Sequence, residues 1–265
     1  MVAVRRASEV PLLGGTANRG QVFRVGDTVR RPSPSTAPAV HALLRHLRDA
    51  GFDGAPRALG TDEQGREVLT FVEGTAVVEP YPAWALTDAA LVGVAELLRD
   101  YHRAVADFDP AGWSWGRTPP APFVGGLVSH NDPNLDNVVF RDGRAVALID
   151  FDLASPGSVL WDVACAARLW VPLRPERYVR DARRGRLRER LRMFADAYGL
   201  TAAERALLPE AVVANHGWCY DTVRVAAARG HPAFSAYWTV RARRRADACF
   251  RWLVEQGPQL RAVLG

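Results

Sequence analysis

The sequence predicts an α+β protein in two lobes, an antiparallel-sheet lobe followed by a larger, mainly helical one. Three observations carry that expectation. The first seventy residues set short apolar runs between Gly, Asp and Pro; beyond the mid-seventies the chain turns to long stretches of helical period; and within that second part "GLVSHNDPNLDNVVFRDGRAVALIDF" reads as strands flanking a polar loop. With 265 residues and 48% hydrophobic side chains, there is enough apolar material for a substantial core.

The elements follow in order. "LLGGTANRG" is a loop of glycines and small polar residues ahead of "QVFRVG", a Gly-Asp turn and "TVRRP", the pattern of a twisted hairpin. "APAVHALLRHLRDAGF" has Pro38 at its start, aligns Val40, Leu43, Leu44 and Leu47 on one stripe and stops at Gly51, so it reads as a helix. "REVLTFVEG" reads as a buried strand running into a turn, where the first lobe, residues 1–73, passes into the second, residues 74–265. "TDAALVGVAELLRDYHRAVADF" is a long amphipathic helix with Asp88 near its start. In "RDGR", Asp142 and Gly143 centre a tight hairpin turn, and the returning strand delivers Asp150 beside the loop that bears Asp132 and Asn137. The runs "RRGRLRERLR" and "RARRRADACFR" read as amphipathic helices with a solvated basic face.

Composition narrows the setting. The chain has no lysine, so all 34 of its basic residues are arginines, and its net charge is +5. Cys165, Cys219 and Cys249 are odd in number and lack CxxC spacing, which argues against a disulfide framework or a zinc site and favours a reducing cytoplasm. Arginines, Glu9 and Pro11 interrupt the N-terminal residues before a signal-peptide core develops, and no stretch reaches the ~18 consecutive apolar residues of a membrane span.

Asp132, an Asn five residues later and a third carboxylate on an apolar strand together suit phosphoryl transfer assisted by Mg²⁺. That ion takes oxygen ligands, typically one or two protein carboxylates completed by phosphate and water. Asn137 and Asp150 supply such ligands, leaving Asp132 to accept a hydrogen bond from an attacking hydroxyl and to take its proton. The blander reading is a polar loop whose Asx residues cap turns. Against it stands the ordered set of loop, hairpin and "LIDFD", since a carboxylate on a buried strand is costly without a partner.

"HNDPNLDN" followed by "LIDF" resembles the aminoglycoside phosphotransferase and choline kinase superfamily, small-molecule kinases with a protein-kinase-like fold, marked by H-G-D-x-x-x-x-N and a later I-D-[FWL] strand. The likeness extends over nearly the whole chain. It implies ATP or GTP as donor, Mg²⁺ on Asn137 and Asp150, Asp132 as catalytic base, His130 as organiser of the catalytic loop and Asp162 as its brace. "LTFVEG", with Phe71 and Glu73, would be the hinge where the base docks, and Gly14, Gly15, Thr16 and Asn18 would bring backbone N–H groups to the phosphates. The superfamily's phosphate-holding lysine is missing. Arg31 is the implied replacement, with Arg30 on the opposite strand face. The helix offers Val40 and His41 where the partner glutamate is expected, which predicts that the usual ion pair is absent. Asp152 either touches a second metal or caps the turn that follows.

The acceptor should be a small hydroxylated molecule, by family likeness an antibiotic or another sugar-containing metabolite. "NHGWCYDTV" gathers His216, Trp218, Tyr220 and Asp221, which either line a pocket or, for the aromatics, pack inward. The arginine-rich second half argues against a polycationic acceptor. Two other classes stand beside this reading: a kinase-like pseudoenzyme that binds nucleotide without turnover, and a nucleic-acid binder through Arg183–Arg192 and Arg241–Arg245. The interleaved Leu, Ala and Glu argue against the second. The sequence says nothing about oligomeric state.

Overall fold

The computed structural model describes residues 8–12, 18 and 20–265. Five short strands, β1 (Glu9–Pro11), β2 (Phe23–Val25), β3 (Thr28–Arg31), β4 (Ala58–Thr61) and β5 (Glu67–Thr70), form an antiparallel sheet in the order β1-β2-β3-β5-β4. The Gly-Asp turn joins β2 to β3, with Gly26 at φ 59°. Between β3 and β4 runs helix α1 (Ala37–Asp49), whose Val40, Leu43, Leu44 and Leu47 are at most 2% exposed. Gly51, at φ 76°, ends it.

The register from β3 to β5 sets the N-terminal side of the site. Arg31 stands directly opposite Glu67, and Arg30 opposite Val68. Successive side chains leave a strand on opposite faces. Arg30 accordingly turns to Asp62 at 3.6 Å and to the Thr28 hydroxyl at 2.8 Å, while Arg31 is buried on the other face.

After β5 the chain leaves the sheet, and β6 (Thr75–Ala76) pairs with β8 (Val138–Arg141) instead. Gly74 makes that crossing possible. Its φ is 143°, and a Cβ there would lie 2.6 Å from both the Phe140 carbonyl and a Val139 methyl. Strand β9 (Arg144–Leu148) returns from β8 through Asp142 and Gly143, at φ 51° and 75°. A second small ladder joins β7 (Leu127–Ser129) to β10 (Ser155–Gly157).

The remainder is helical: α2 (Asp88–Ala104), α3 (Val159–Trp170), α4 (Leu187–Tyr198), α5 (Ala202–Ala228), the short α6 (Pro232–Tyr237) and α7 (Val240–Leu264). One apolar core runs from Leu43 and Leu47 of α1 through Leu91, Leu98 and Tyr101 of α2 to Trp170, Phe194 and Val212. Both parts of the chain share it. Among the described residues no helix is long and apolar enough to cross a membrane.

The first arginine run departs from the expected solvated face, whereas Arg241, Arg243, Arg244 and Arg245 of the second are exposed on α7. Residues 183–186 form a turn with Gly185 at φ 78°, and helix begins only at Leu187. Arg183 and Arg190 are buried. Arg190 reaches Asp88 at 2.7 Å and the carbonyls of Leu86 and Trp170; Arg183 grips Asp181 through two hydrogen bonds and reaches the Leu169 carbonyl. These guanidiniums lie inward because each finds a carboxylate and a helix-end carbonyl, partners that sequence pattern alone does not reveal. Asp88→Ala leaves Arg190 without its counter-charge. It should cost about 2–3 kcal/mol in urea unfolding followed by tryptophan fluorescence.

Candidate active site

The segment between β7 and β8 is built around a carboxylate that no solvent reaches. Asp162, in the first turn of α3, is fully buried. Its Oδ2 accepts the His130 amide at 2.7 Å and its Oδ1 the Asn131 amide at 2.9 Å, while His102 Nε2 lies 3.1 Å away. Burial pushes the Asp162 carboxyl up, but the His102 hydrogen bond, the nearby imidazoles and the His130 amide outweigh it, and the carboxyl sits below its ordinary 3.8. Two neighbours on α2 complete the support: Tyr101 donates to the Val128 carbonyl at 2.8 Å, and His102 meets the Tyr198 hydroxyl at 2.7 Å.

Asn131 occupies the place of the glycine in H-G-D, and the backbone explains the exchange. Its φ is 65°, a region that Gly enters freely and Asn better than most residues. Its amide nitrogen donates to the Leu153 carbonyl and the Ser155 hydroxyl, both at 2.8 Å, and its oxygen accepts Trp161 Nε1 at 2.8 Å. A glycine there could make none of these.

His130 is wholly buried, packed against Phe151 at 4.5 Å between ring centroids. Nε2 donates to the Ile149 carbonyl at 3.0 Å, and Nδ1 faces the Asp132 amide at 3.3 Å. Burial lowers its pKa, so the ring is held neutral. It links the Asp132 loop to the residue before Asp150 and has no exposed face with which to meet a ligand.

Asp132 is half-buried. One oxygen accepts Asn134 Nδ2 at 3.0 Å, the other Asn137 Nδ2 at 3.0 Å, and Asn137 Nδ2 also reaches the Asp132 carbonyl at 2.9 Å. With its nitrogen so engaged, the Asn137 oxygen is left pointing away from Asp132. Burial, then the charge of Asp150, pushes the Asp132 carboxyl well above the usual carboxylate range. Asp150 itself is left-handed, at φ 63° and ψ 68°, an uncommon conformation for a residue that is neither Gly nor Asn.

Arg31 ties this cluster to the sheet. Its guanidinium pairs with Glu67 through Nε, donates to Asp150 Oδ1 at 2.9 Å and approaches Asp152 Oδ1 at 2.6 Å. Burial alone would lower its pKa; Asp152, Glu67 and Asp150 outweigh burial and hold it charged. An ion pair is therefore present where the sequence pattern predicted none. Its acid comes from β5 rather than α1, and His41, at the expected helix position, lies 2.7 Å from the other Glu67 oxygen. The available signal was a lone acid, Glu67, opening an otherwise apolar strand.

A cavity of about 460 Å³ lies between the sheet and the Asp132 loop. Val29, Leu69, Phe71, Ala76, Val139 and Ile149 line its apolar end; Asn18, Arg31, Asp136, Asn137 and Asp150 line its polar end. Glu73 turns instead to Arg24, at 2.6 Å, and Arg24 stacks on Phe71 at 3.7 Å. Gly14, Gly15 and Thr16 lie outside the described residues. Asn18 donates to Asp152 Oδ2 at 3.2 Å, and Asp152 Oδ1, beside Arg31, receives no aligned hydrogen bond.

The α5 residues divide among different neighbours. Trp218 is buried, donates to the Thr118 carbonyl at 2.9 Å and packs edge-on against Trp161. Asp221 is engaged by Arg117 at 2.7 Å and Arg224 at 2.6 Å. His216 faces α7, with Nε2 donating to the Ala246 carbonyl at 3.0 Å, and burial lowers its pKa to about 4. Between them, Cys219 points at α3. There Arg168 donates to its sulfur at 3.2 Å and to Asn215 at 3.0 Å, and Cys165 donates to the Asn131 carbonyl at 3.3 Å. This group beside Asp132 escaped sequence reading because it depends on the packing of α3 on α5.

The model of the phosphotransferase enzyme family matches residues 9–124 and 115–198, well over half of the chain. The chain belongs to that family. A curated relative, the trifolitoxin immunity protein of Rhizobium leguminosarum bv. trifolii, is 35% identical over 209 residues, covering 74% of this chain and 76% of the relative. Among solved structures, a choline/ethanolamine kinase family protein from Mesorhizobium loti superposes with TM-score 0.65 at 19% identity, covering 99% of this chain and 94% of the other. An aminoglycoside 2'-phosphotransferase-IIIa in complex with GDP superposes with TM-score 0.56 at 13% identity, covering 97% and 94%. The fold is that of these kinases.

The Asp162 brace makes a signed prediction. A carboxyl depressed in the folded state contributes stability above its unfolded value and loses it as pH falls through the folded one. The unfolding free energy of the native chain should exceed that of Asp162→Asn by about 2–3 kcal/mol at neutral pH. The difference should shrink in acid, below about pH 4, in a series of denaturant titrations.

Proposed function

We propose that the chain transfers the γ-phosphate of ATP or GTP to a hydroxyl of a small molecule. One observation carries the reading: Asn137, Asp150 and a charged Arg31 line the polar end of an apolar cleft, and Asn137 holds Asp132 beside it through a hydrogen bond of 3.0 Å. The cleft's apolar end suits a nucleoside base and its polar end the phosphates. Arg31, rigidly forked between Glu67 and Asp150, takes the part of a phosphate-holding lysine, a role that suits a planar guanidinium.

The donor set fits Mg²⁺. Asn137 offers a carbonyl oxygen and Asp150 and Asp152 offer carboxylates, Oδ1 of Asp152 being buried without an aligned donor. Among the described residues no three His, Cys, Asp or Glu side chains form a ready cage, in keeping with an ion that completes its shell from phosphate and water. Asn137 and Asp150 would hold it, and when bound it would neutralise phosphate charge. Asp132 would accept the hydrogen bond of the acceptor hydroxyl and take its proton. Its raised pKa reflects the same burial that strengthens its grip on a hydroxyl. The chain's own contribution is then to position the two reactants and exclude water. Relatives named for aminoglycosides, choline and toxin immunity favour an antibiotic or another hydroxylated metabolite as acceptor.

Asp132→Ala should keep nucleotide affinity and lose turnover by ~10²–10⁴-fold, whereas Asp150→Ala should lose magnesium-dependent nucleotide binding. Titration calorimetry with ATP and GTP, with and without Mg²⁺, and coupled release of nucleoside diphosphate measure both. Equal turnover in the two variants would remove the assignment.

A further inference from the structure

Asp136 lines the same cavity as Asn137 and Asp150, on a turn whose geometry is fixed from within. Asn134 caps that turn, residues 135–137: its Oδ1 accepts the Asp136 amide at 2.8 Å and the Asn137 amide at 3.1 Å. Leu135 of the turn packs into the apolar core, which leaves its two successors to face the cavity. The turn also packs against β6, whose Ala76 belongs to the cavity's apolar end. Asp136 therefore stands where the apolar and polar ends meet, with Asn137 next to it on the polar side.

No protein group fully answers this carboxylate. Among the described residues, the carboxylate oxygens buried without a hydrogen-bond donor are Asp136 Oδ1 and Asp152 Oδ1. Asp152 Oδ1 has the Arg31 guanidinium 2.6 Å away, whereas Asp136 forms no ion pair among the described residues. The other acids of the site are supplied: Asp132 by Asn134 and Asn137, Asp150 by Arg31, Asp162 by two amides. Burial raises the Asp136 carboxyl above its ordinary 3.8; the Tyr81 hydroxyl opposes that shift and the charge of Glu79 adds to it. Tyr81 still leaves Oδ1 without a donor, and a buried acceptor left so is destabilising unless a bound molecule supplies one.

We propose that Asp136 is the ribose acceptor of the nucleotide site: its carboxylate receives the 2′- and 3′-hydroxyls and makes the chain selective for ribonucleotides. The assignment rests on the kinase reading and gives that reaction a specificity-determining residue. A nucleoside triphosphate carries hydrogen-bond donors on its base and its sugar, while its phosphates are ionised and only accept. The base belongs to the apolar end. The phosphates belong with Arg31 and with an ion held by Asn137 and Asp150, and they would repel a bare carboxylate. The sugar between them is neutral, and its adjacent hydroxyls match the two oxygens of a carboxylate, as when an acid reads ribose in dinucleotide-binding sheets.

Titration calorimetry of the full chain with ADP, 2′-deoxy-ADP and 3′-deoxy-ADP in Mg²⁺ tests it, with the matched guanosine series alongside. Removing either hydroxyl should weaken binding at least about tenfold, the scale of one hydrogen bond to a charged group. Asp136→Ala should bring ADP down to the level of its deoxy analogues, and Asp136→Asn, which keeps one acceptor oxygen, should retain part of the difference. Comparing ADP with its analogues needs only the native chain, so it decides the matter even where Asp136→Ala fails to fold. A deoxy analogue that binds the native chain as tightly as ADP would overturn the proposal. So would a penalty that survives Asp136→Ala, or a variant that weakens all three nucleotides alike, the result expected of a metal ligand. A chain that takes up no nucleotide loses the kinase reading itself, whereas one that binds ADP and its deoxy analogues equally keeps that reading and loses only Asp136 as its ribose acceptor.

Discussion

The candidate site depends on one buried carboxylate. Asp162 can remain charged without solvent only because two consecutive amides and an imidazole converge on it, and that convergence fixes the backbone of His130 and Asn131. With those two residues pinned, Asp132 has a single place to point. Asn131 then ties the loop to Leu153 and Ser155, and His130 ties it to Ile149, so the segments bearing Asp132 and Asp150 are held at one spacing. The left-handed backbones of Asn131 and Asp150 are local costs that this surrounding network holds in place.

The second constraint joins the sheet to that loop. A lysine would offer a compact charge at the end of a flexible stem; Arg31 offers a planar fork that can face several carboxylates at once. It does so here, with Glu67 on one side and Asp150 and Asp152 on the other. The partner acid had to move to suit it. A strand residue directly opposite Arg31 meets the guanidinium without the reach that a helix position would require, and His41 fills the space left on α1.

What the sequence made legible was what lies close along the chain. Asp132, Asn137 and the Asp142-Gly143 turn fall within a dozen residues, and their spacing alone places Asp150 near the loop. The α1 stripe and the start of α2 are equally local. Glu67 was not legible, because its pairing with Arg31 across 36 residues depends on strand register. Nor was the meeting of Cys165, Arg168 and Cys219, which depends on how α3 packs on α5. Asp162 could be read only through resemblance: nothing in "WDVACAARLW" says that this acid turns inward to accept two amides. The burial of Arg183 and Arg190 was misread for a related reason, since charge patterning treats arginine as surface unless a partner is in view.

Those buried arginines follow a common pattern. In a chain without lysine, guanidiniums serve as structural staples: Arg190 accepts burial in exchange for Asp88 and two carbonyls, Arg192 reaches the Val263 carbonyl at the end of α7, and Arg99 the Ala197 carbonyl near the end of α4. Helix C-termini carry unsatisfied carbonyls and partial negative charge, so arginines from neighbouring elements suit them. Among the described residues, the three arginines that are buried outright, Arg31, Arg183 and Arg190, each hold a carboxylate. Arginine abundance alone therefore says little about nucleic acid, because part of it is spent on carboxylates and helix-end carbonyls within the fold.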